Sequence, residues 1–285
     1  MPKDEIISVG GQAVIEGVMM RSKTKIAVAV RNPKGHIKYM QIPLNYGPLK
    51  SRLVKIPILR GVIMLGETLS LGFKALQFSA NVTTGEDEEI GPMGMIVLVL
   101  ISAVFGIGIF VLAPLLLTKL ITSKNGFIFN IIDGIIRILF LLGYLAAISM
   151  FKDVRRLFQY HGAEHMAVAA FEANKKLIPK NVRKYSRLHP RCGTNFLLIV
   201  FITSIIVFSV VDNPSLFLKF SYRVVLIPLI AGIAYELLKF GGKHHHNPIV
   251  KLFVLPGLGL QLITTQEPDD KQIEVAIAAL KKAIK

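Results

Sequence analysis

The feature that most constrains the fold is an uncharged apolar run that extends from residue 90 to residue 118. A helix rises about 1.5 Å per residue, so a run of this length exceeds the ~30 Å hydrocarbon core of a bilayer. Apolar residues make up 52% of the chain and the mean hydropathy is +0.55, which is high for a soluble domain. We therefore predict a mainly α-helical, polytopic membrane protein with about four transmembrane helices. They are expected at residues 90–118, 127–150, 192–211 and 221–240.

Two charged residues, Asp133 and Arg137, interrupt the second apolar run. Residues four apart share one helix face, so this carboxylate and this guanidinium can neutralise each other. A structural ion pair is the favoured interpretation. The alternative is an ion path, which would make the protein a transporter. With so few spans per chain, a transport pathway would require a homo-oligomer.

Basic residues indicate the orientation in the membrane. The segment 152–191 carries ten Lys or Arg residues, whereas the segments 119–127 and 212–223 carry two each. Because positively charged loops face the cytosol, we predict a multi-pass protein of the cytoplasmic membrane with both termini in the cytosol. The basic residues responsible for the net charge of +16 are then mostly on the cytosolic side, where they meet anionic lipid head groups. The lipid bilayer is the predicted partner, and no nucleic acid is expected because no nucleic-acid-binding motif is recognisable.

Residues 1–60 are predicted to form a β-rich cytosolic region. Two strand-like segments at 25–31 and 36–42 flank the turn sequence at 32–35, which favours a β-hairpin. Before them, glycines bracket an apolar segment that contains Glu16. We interpret that segment either as a short buried strand with a bulge or as a contribution of Glu16 to a functional site.

An amphipathic helix followed by an acidic linker is predicted for residues 61–89. Its apolar stripe consists of Val62, Leu65, Leu69, Phe73 and Leu76. Three glycines, Gly61, Gly66 and Gly72, favour close packing against other helices over binding at the membrane surface. At the other end of the chain, residues 241–285 are predicted to be a cytosolic tail with a final helix from about residue 271 to residue 284.

The predicted cytosolic loop at residues 151–191 carries the most informative motif, His161-Gly162-Ala163-Glu164-His165. We predict that the second transmembrane helix continues through both histidines to about residue 174, which brings the two imidazoles to one helix face. This is the H-x-x-E-H pattern, in which two histidines bind a metal ion and the glutamate acts on the bound water. The alternative is a partly buried polar patch.

A catalytic zinc site needs a third protein ligand beside His161 and His165. His189 and Cys192 are the candidates, because they return to the same face of the membrane about 25 residues later. Glu164 is the predicted catalytic base of a hydrolysis, and a divalent metal, with zinc favoured, is the predicted cofactor. Since Cys192 is the only cysteine, an intrachain disulfide is excluded and a reducing compartment fits.

Two further carboxylates are candidates for a supporting role at the metal. Glu236 is either a ligand, a hydrogen-bond acceptor for a ligand, or an interfacial carboxylate that pairs with Lys239. Glu16 is the other candidate. The histidine triplet at residues 244–246 is interpreted as an exposed tract rather than as a metal site.

Four motifs span nearly the whole chain: GGQAVIEGVMMR at residues 10–21, HGAEH at 161–165, HPRCGT at 189–194 and EPDD at 267–270. In this order they resemble the motifs of the YqhQ-like family of bacterial membrane proteins. The resemblance implies a polytopic membrane protein and a predicted metal-dependent enzyme of unknown function. It does not identify a substrate.

The leading hypothesis is an integral membrane, zinc-type metal-dependent hydrolase with its site at the cytosolic face. The alternative from a different class is a non-catalytic membrane scaffold or assembly factor, in which the histidines and the cysteine support a cytosolic fold. A transporter is the third hypothesis, and it depends on Asp133 and Arg137 alone.

Overall fold

One four-stranded sheet lies near the N-terminus of an otherwise mainly helical chain. A computed structural model describes residues 9–44, 52–84, 91–122, 126–190, 192–211, 215–243 and 248–285. The strands are β1 (Gly10–Val14), β2 (Gly17–Arg21), β3 (Lys25–Arg31) and β4 (Ile37–Pro43). The helices are α1 (Leu59–Thr84), α2 (Pro92–Ile107), α3 (Ala113–Ile121), α4 (Phe127–Ser149), α5 (Lys152–Glu172), α6 (Pro179–Val182), α7 (Thr194–Val210), α8 (Leu216–Val225), α9 (Ile227–Lys243), α10 (Pro248–Thr264) and α11 (Asp270–Ile284). A π-helical segment, Gly108–Leu112, joins α2 to α3.

The sheet is an antiparallel meander in which each strand pairs with the next. The predicted hairpin is confirmed, because β3 and β4 pair over their full length. The segment that contains Glu16 forms a second hairpin, in which Ile15 and Glu16 are the two-residue turn between β1 and β2. Glu16, the second residue of this turn, has a positive φ of 51°, a conformation that residues other than glycine rarely adopt.

Both faces of the sheet are covered by helices, which explains why β3 is buried along its length without alternation. One face packs against α5 and α11 through a cluster that includes Val18, Tyr160 and Leu280. The opposite face packs against α1 through Leu71 and Ala75. The helix that carries the H-x-x-E-H motif is therefore held on β1 and β2.

Helix α1 packs closely through two of its three glycines, Gly61 against a helix as predicted and Gly72 against the sheet instead. A Cβ atom on Gly61 would lie 3.0 Å from the Cα atom of Gly232 in α9, so no larger residue fits there. A Cβ atom on Gly72 would lie 2.8 Å from the side chain of Gln12, whereas Gly66 has no neighbour within 4 Å.

The predicted apolar stripe of α1 is not its buried face. Leu69 and Leu76 are exposed, and the buried residues are Gly61, Leu71, Gly72, Ala75 and Ser79. The reason is steric. The sheet and α9 pack against the other face of α1, where small residues such as glycine, alanine and serine permit close contact.

Two helices in the described part of the chain are long and apolar enough to cross a membrane, at Ile96–Ile121 and Phe127–Ser149. A third span is added if the bent pair Leu216–Val225 and Ile227–Gly241 counts as one. The prediction of four spans is corrected accordingly. Helix α7 has 17 residues and reaches only about 26 Å. The fourth predicted run bends by 49° beside Pro228, which lacks the N–H that would continue the helix.

Asp133 and Arg137 form the predicted ion pair, with 2.6 Å between Oδ2 and Nη2. Arg223 of α8, which the sequence did not place here, also binds Asp133, with 2.6 Å between Nη1 and Oδ1. Arg137 donates a further hydrogen bond to the hydroxyl of Ser204 in α7, at 3.0 Å. This buried cluster connects α4, α7 and α8.

The predicted continuation of the second span into the H-x-x-E-H helix is wrong. Helix α4 ends at Ser149 and α5 begins at Lys152, because Phe151 between them has an extended backbone with ψ of 133°. Helix α5 ends at Glu172, close to the predicted end near residue 174. The break allows α5 to lie on the sheet instead of following the direction of α4.

Helix α11 confirms the predicted C-terminal helix. Asp269 caps it by accepting a hydrogen bond from the backbone N–H of Gln272 at 2.7 Å, and the Gln272 side chain accepts one from the Asp269 backbone at 2.9 Å. Such reciprocal capping satisfies two of the unpaired donors at a helix start.

Candidate metal centre

Helix α5 presents His161, Glu164 and His165 to a cavity of about 360 Å³ between β1 and the segment that leads into α7. Glu164 is 4% exposed and His165 is 3% exposed. On another side of α5, Gly162 allows the segment before α11 to approach, since a Cβ atom there would overlap the carbonyl oxygen of Gln266. The backbone N–H of Gln266 donates to the carbonyl of Phe158 at 2.9 Å.

Main-chain carbonyls orient both imidazoles of the motif. Nδ1 of His161 lies 2.7 Å from the carbonyl oxygen of Thr264, and Nδ1 of His165 lies 2.6 Å from that of Arg187. A carbonyl oxygen only accepts, so each Nδ1 carries the proton and donates it. The neutral ring then keeps its lone pair on Nε2, which is the nitrogen available to a metal.

Cys192 completes a set of three donor atoms. Its Sγ lies 3.3 Å from Nε2 of His161, and the ligand atoms of His161, His165 and Cys192 all lie within 4.8 Å of one another. Tetrahedral zinc with bonds of about 2.0 to 2.3 Å has neighbouring donors about 3.3 to 3.6 Å apart. Two imidazoles and one thiolate suit zinc and related transition metals rather than magnesium or calcium. The donor types and the 3.3 Å separation of Cys192 and His161 therefore fit the predicted metal, whereas the 4.8 Å limit for all three atoms is wider than the spacing around a bound ion.

Thr194, the first residue of α7, contacts the sulfur of Cys192. Its hydroxyl lies 3.2 Å and its backbone nitrogen 3.4 Å from Sγ. Burial raises the pKa of the Cys192 thiol to about 11, while both hydrogen bonds from Thr194 act in the opposite direction. Donors to sulfur stabilise the thiolate, which is the form that binds a metal.

His189 lies beside the three donor atoms rather than among them. The centroid of its ring is 5.7 Å from that of His165, and its Nε2 is 3.4 Å from a carboxylate oxygen of Glu172. The side chain of Gln261 binds both backbone groups of His189, at 2.8 Å to the nitrogen and 2.9 Å to the oxygen. Of the two predicted third ligands, the geometry favours Cys192, and His189 lines the same cavity.

The carboxylate of Glu164 faces the cavity and is bound by β1, since the backbone N–H of Gly11 donates to it. One carboxylate oxygen lies 3.5 Å from Nε2 of His165. Burial raises the pKa of Glu164, and the nearby His161 and the Gly11 hydrogen bond offset part of that rise. A raised pKa suits a general base, which is most effective when its pKa lies near the working pH.

Burial also keeps His165 uncharged at neutral pH. It lowers the pKa of His165 to about 3, and the neighbouring His161 acts in the same direction. The neutral imidazole is the form that binds a metal.

Glu16 does not join the donor set but holds the β1–β2 hairpin on α5. Its carboxylate accepts hydrogen bonds from Arg156 at 2.6 Å and from the hydroxyl of Tyr160 at 3.1 Å. Tyr160 precedes His161, so Glu16 acts on the position of the helix near the motif rather than on a ligand.

Glu236 is not part of the three-donor set. It forms a bidentate ion pair with Arg60 and accepts a hydrogen bond from the backbone N–H of Ile58 at 3.4 Å. Bidentate pairs with arginine are strong, which explains why this partner is favoured over the predicted Lys239. The histidine triplet at 244–246 and the acidic linker at 85–89 lie outside the described residues.

Sequence reasoning missed the main-chain groups that orient the site. They are the carbonyls of Thr264 and Arg187 and the N–H of Gly11. Backbone groups carry no residue signature, so the first two were not predictable. Gly11 was the one available signal, because a Cβ atom there would overlap the carbonyl oxygen of Met19 and would also lie 3.0 Å from Cγ of Glu164.

The fold and the site define a membrane-associated protein in which a helix-covered sheet supports a cluster of two histidines, a cysteine and a glutamate, with His161 partly exposed and the other three buried. A family described as "Protein of unknown function (DUF1385)" matches residues 56–285. The chain is 35% identical to "Uncharacterized protein YqhQ" of Bacillus subtilis (strain 168) over an alignment of 294 positions, which covers 97% of this chain and 92% of that protein. The chain therefore belongs to the DUF1385, or YqhQ-like, family. No solved structure matches it.

Proposed function

We propose that the chain is an integral membrane protein that binds one divalent metal ion, preferably zinc, and uses it for hydrolysis. The proposed ligands are His161, His165 and Cys192, and the proposed general base is Glu164. One observation carries the proposal: both Nδ1 protons are bound by main-chain carbonyls, so both Nε2 lone pairs remain for the cavity that contains Sγ of Cys192.

The chain's own groups provide the proton transfers of a hydrolysis. When bound, a zinc-type ion supplies Lewis acidity and makes water more acidic. The Glu164 carboxylate, fixed by the Gly11 N–H, takes one proton from the attacking water and returns it to the leaving group. The oxygen of the water bonds to the reacting carbon, the bond from that carbon to the leaving group breaks, and no oxidant or reductant is needed.

We propose that the site and both termini face the cytosol. Val18, Tyr160 and Leu280 share one hydrophobic cluster, so the sheet, α5 and α11 lie on one side of the membrane. Two spans, Ile96–Ile121 and Phe127–Ser149, lie between the sheet and α5, and this even number returns the chain to the side from which it started. The ten basic residues of segment 152–191 favour the cytosolic side. A fluorescent protein fused after Lys285 should fluoresce, and an alkaline phosphatase fused there should be inactive. An active phosphatase would contradict this topology.

The first test of the proposal is the metal content of protein purified without a polyhistidine tag. Elemental analysis should find about one ion per chain, as expected for a single three-ligand site. Substituting both His161→Ala and His165→Ala should remove it. His36→Ala is the matched control, since His36 is an exposed histidine in the β3–β4 turn. Absence of stoichiometric metal, or metal that survives the double substitution, would contradict the proposal.

The identity of the third ligand is tested by cobalt substitution. Thiolate coordination gives cobalt an intense near-ultraviolet charge-transfer band, which Cys192→Ser should abolish. His189→Ala should retain the band, because His189 lies outside the three-donor set. A band that persists in Cys192→Ser would exclude the cysteine as a ligand.

Glu164→Gln separates an enzyme from a membrane scaffold. The substitution keeps the size of the side chain and should keep the metal, but it removes the base. In a bacterial strain in which deletion of the gene causes a measurable growth defect, the variant should accumulate normally in the membrane but fail to restore growth. Full restoration would favour the scaffold or assembly factor.

A further inference from the structure

We propose that the substrate is a polypeptide that binds in an extended conformation along the free edge of β1 and presents a peptide bond to Glu164. The inference rests on the proposed hydrolase function and adds to it the class of substrate. Addition of an extended segment to an exposed sheet edge is a general mode of peptide recognition.

The hydrogen bonds of the sheet determine which backbone groups of β1 point outward. The N–H of Arg31 donates to the carbonyl of Glu16 at 2.8 Å, so the backbone of Glu16 is directed toward β3. Directions alternate along an antiparallel strand, so Gly17 and Met19 face β1 while Val18 faces β3.

The same alternation continues into β1. Gln12 pairs with Met19 and therefore directs its N–H and C=O toward β2. Its two neighbours, Gly11 and Ala13, direct theirs away from the sheet. The outward direction of Gly11 is consistent with the hydrogen bond that its N–H donates to Glu164.

The outer edge of β1 is open to a ligand. Among the described residues no strand pairs with it, and Gly11 is exposed. Since Glu164 occupies the N–H of Gly11, three outward groups remain: the C=O of Gly11 and the N–H and C=O of Ala13. Groups at alternate residues, about 6.6 to 6.8 Å apart, match the backbone of an extended peptide.

This edge forms one wall of the cavity that contains the donor atoms. Residues 10–13 line one side, the His161 and His165 face of α5 lines another, and Cys192 and Thr194 line a third. A strand added to β1 would run about 4.8 Å from it and so enter this cavity. Because a Cβ atom on Gly11 would lie 3.0 Å from Cγ of Glu164, a peptide on this edge lies next to the proposed base.

The reaction at this position is the hydrolysis of an amide. Water attacks the carbonyl carbon and a C–O bond forms, then the C–N bond breaks. Glu164 accepts a proton from the water and delivers it to the departing amine nitrogen. The products are one carboxylate and one amine, and no further reactant is required.

Apolar side chains around the cavity indicate the preferred residues of the substrate. Leu157 and Phe158 of α5 line it toward one end, and Val168 lines it toward the other. We therefore expect apolar residues next to the cleaved bond.

Peptide binding is measured first on the metal-loaded Glu164→Gln variant in detergent, because this variant lacks the proposed base and should not cleave the peptide. The probe is a pool of fluorescein-labelled ten-residue peptides with apolar central residues, from which the tightest binder is selected by anisotropy. A series of variants of that peptide is then made, each with a single N-methylated backbone amide at a different residue. N-methylation should weaken binding about three- to tenfold at every second residue and have little effect at the residues between, because only alternate N–H groups face β1. Uniform sensitivity, or failure of every peptide to bind, would overturn the inference.

The protein side of the contact is tested by Ala13→Pro, which removes the outward N–H. The matched control is Gln41→Pro on β4, because Gln41 lies two residues before Pro43 at an equivalent outward position of the opposite edge. Ala13→Pro should weaken peptide binding about tenfold with metal content unchanged, and Gln41→Pro should change neither. Equal binding by both variants would overturn the inference. If Ala13→Pro loses metal or fails to fold, the N-methylation series alone decides.

Cleavage by the wild type separates this inference from the proposed function. Metal binding with cleavage of the selected peptide supports both. Metal binding with Glu164-dependent hydrolysis of a long-chain ester, but not of any peptide, would retain the hydrolase and reject the polypeptide. A protein that binds no metal would reject both.

Discussion

At the scale of single residues, the donor atoms differ in what fixes them. His161 and His165 are oriented by main-chain carbonyls, which no side-chain substitution removes. The sulfur of Cys192 instead receives a hydrogen bond from the hydroxyl of Thr194 at 3.2 Å. This contact can be deleted without changing any proposed ligand.

Thr194→Val should lower the affinity for metal about tenfold, which is typical when a partner of a ligand is lost. The hydroxyl lowers the pKa of the Cys192 thiol, so its loss raises that pKa and strengthens proton competition for the sulfur. The deficit should therefore be larger at neutral pH than at alkaline pH. A competition titration with a chromogenic chelator measures it. Thr194→Ser keeps the hydroxyl and should bind like the wild type, and equal affinity for all three proteins would contradict the predicted role.

At the scale of elements, the position of α5 decides whether the motif is a site. The β1–β2 hairpin holds it through Glu16 and Gly11, and the segment at residues 264–266 holds it at His161 and Phe158. That segment can approach only because residue 162 is glycine.

Gly162→Ala should displace the segment that binds His161. The new methyl group would overlap the carbonyl of Gln266, so the neighbouring carbonyl of Thr264 would move away from Nδ1 of His161. We expect metal affinity to fall about tenfold or more and the free energy of unfolding to fall by about 1–3 kcal/mol. Thermal melts with and without added zinc measure both effects.

Gly66→Ala is the control for that substitution. Gly66 also lies in a helix but has no neighbour within 4 Å, so alanine should keep metal affinity and raise helix stability by up to about 1 kcal/mol. If Gly162→Ala behaved like Gly66→Ala, the close approach to Gln266 would have no part in orienting His161.

The elements that local pattern determines were predictable, and the long-range partners were not. The β3–β4 hairpin and α11 follow from turn and capping residues close in sequence. The break at Phe151 was missed because helical patterns lie on both sides of it. In the site, the four-residue spacing of His161 and His165 predicted that both lie on one face of a helix. The choice between His189 and Cys192 as the third ligand depends on the bent path of the segment before α7, which the sequence does not determine.

At the scale of the whole molecule, two groups of contacts connect distant parts of the chain. One hydrophobic cluster joins β2, α5 and α11, and one buried charge cluster joins α4, α7 and α8. The second cluster is centred on Asp133, whose carboxylate binds two arginines. Asp133 and Arg137 therefore have the structural role that was favoured from the sequence, and their contacts join three helices rather than stabilising α4 alone.

Asp133→Asn should strongly destabilise the helices around this cluster. The amide keeps the shape of the side chain, but Arg137 and Arg223 would retain their charges without the carboxylate that both bind. Removing one partner of a buried ion pair typically lowers the free energy of unfolding by about 3–5 kcal/mol. Thermal unfolding in detergent, followed by circular dichroism, measures the loss.

Glu236→Gln is the matched control, because it makes the same change in a carboxylate that pairs with Arg60. That pair is 23% exposed on both sides, whereas the side chains around Asp133 are 2% to 4% exposed, so water can compensate Arg60 but not the buried arginines. The loss in Glu236→Gln should therefore be clearly smaller. Equal losses would mean that burial does not set the strength of the Asp133 cluster, and no loss in either variant would show that α4, α7 and α8 are held together by apolar packing alone.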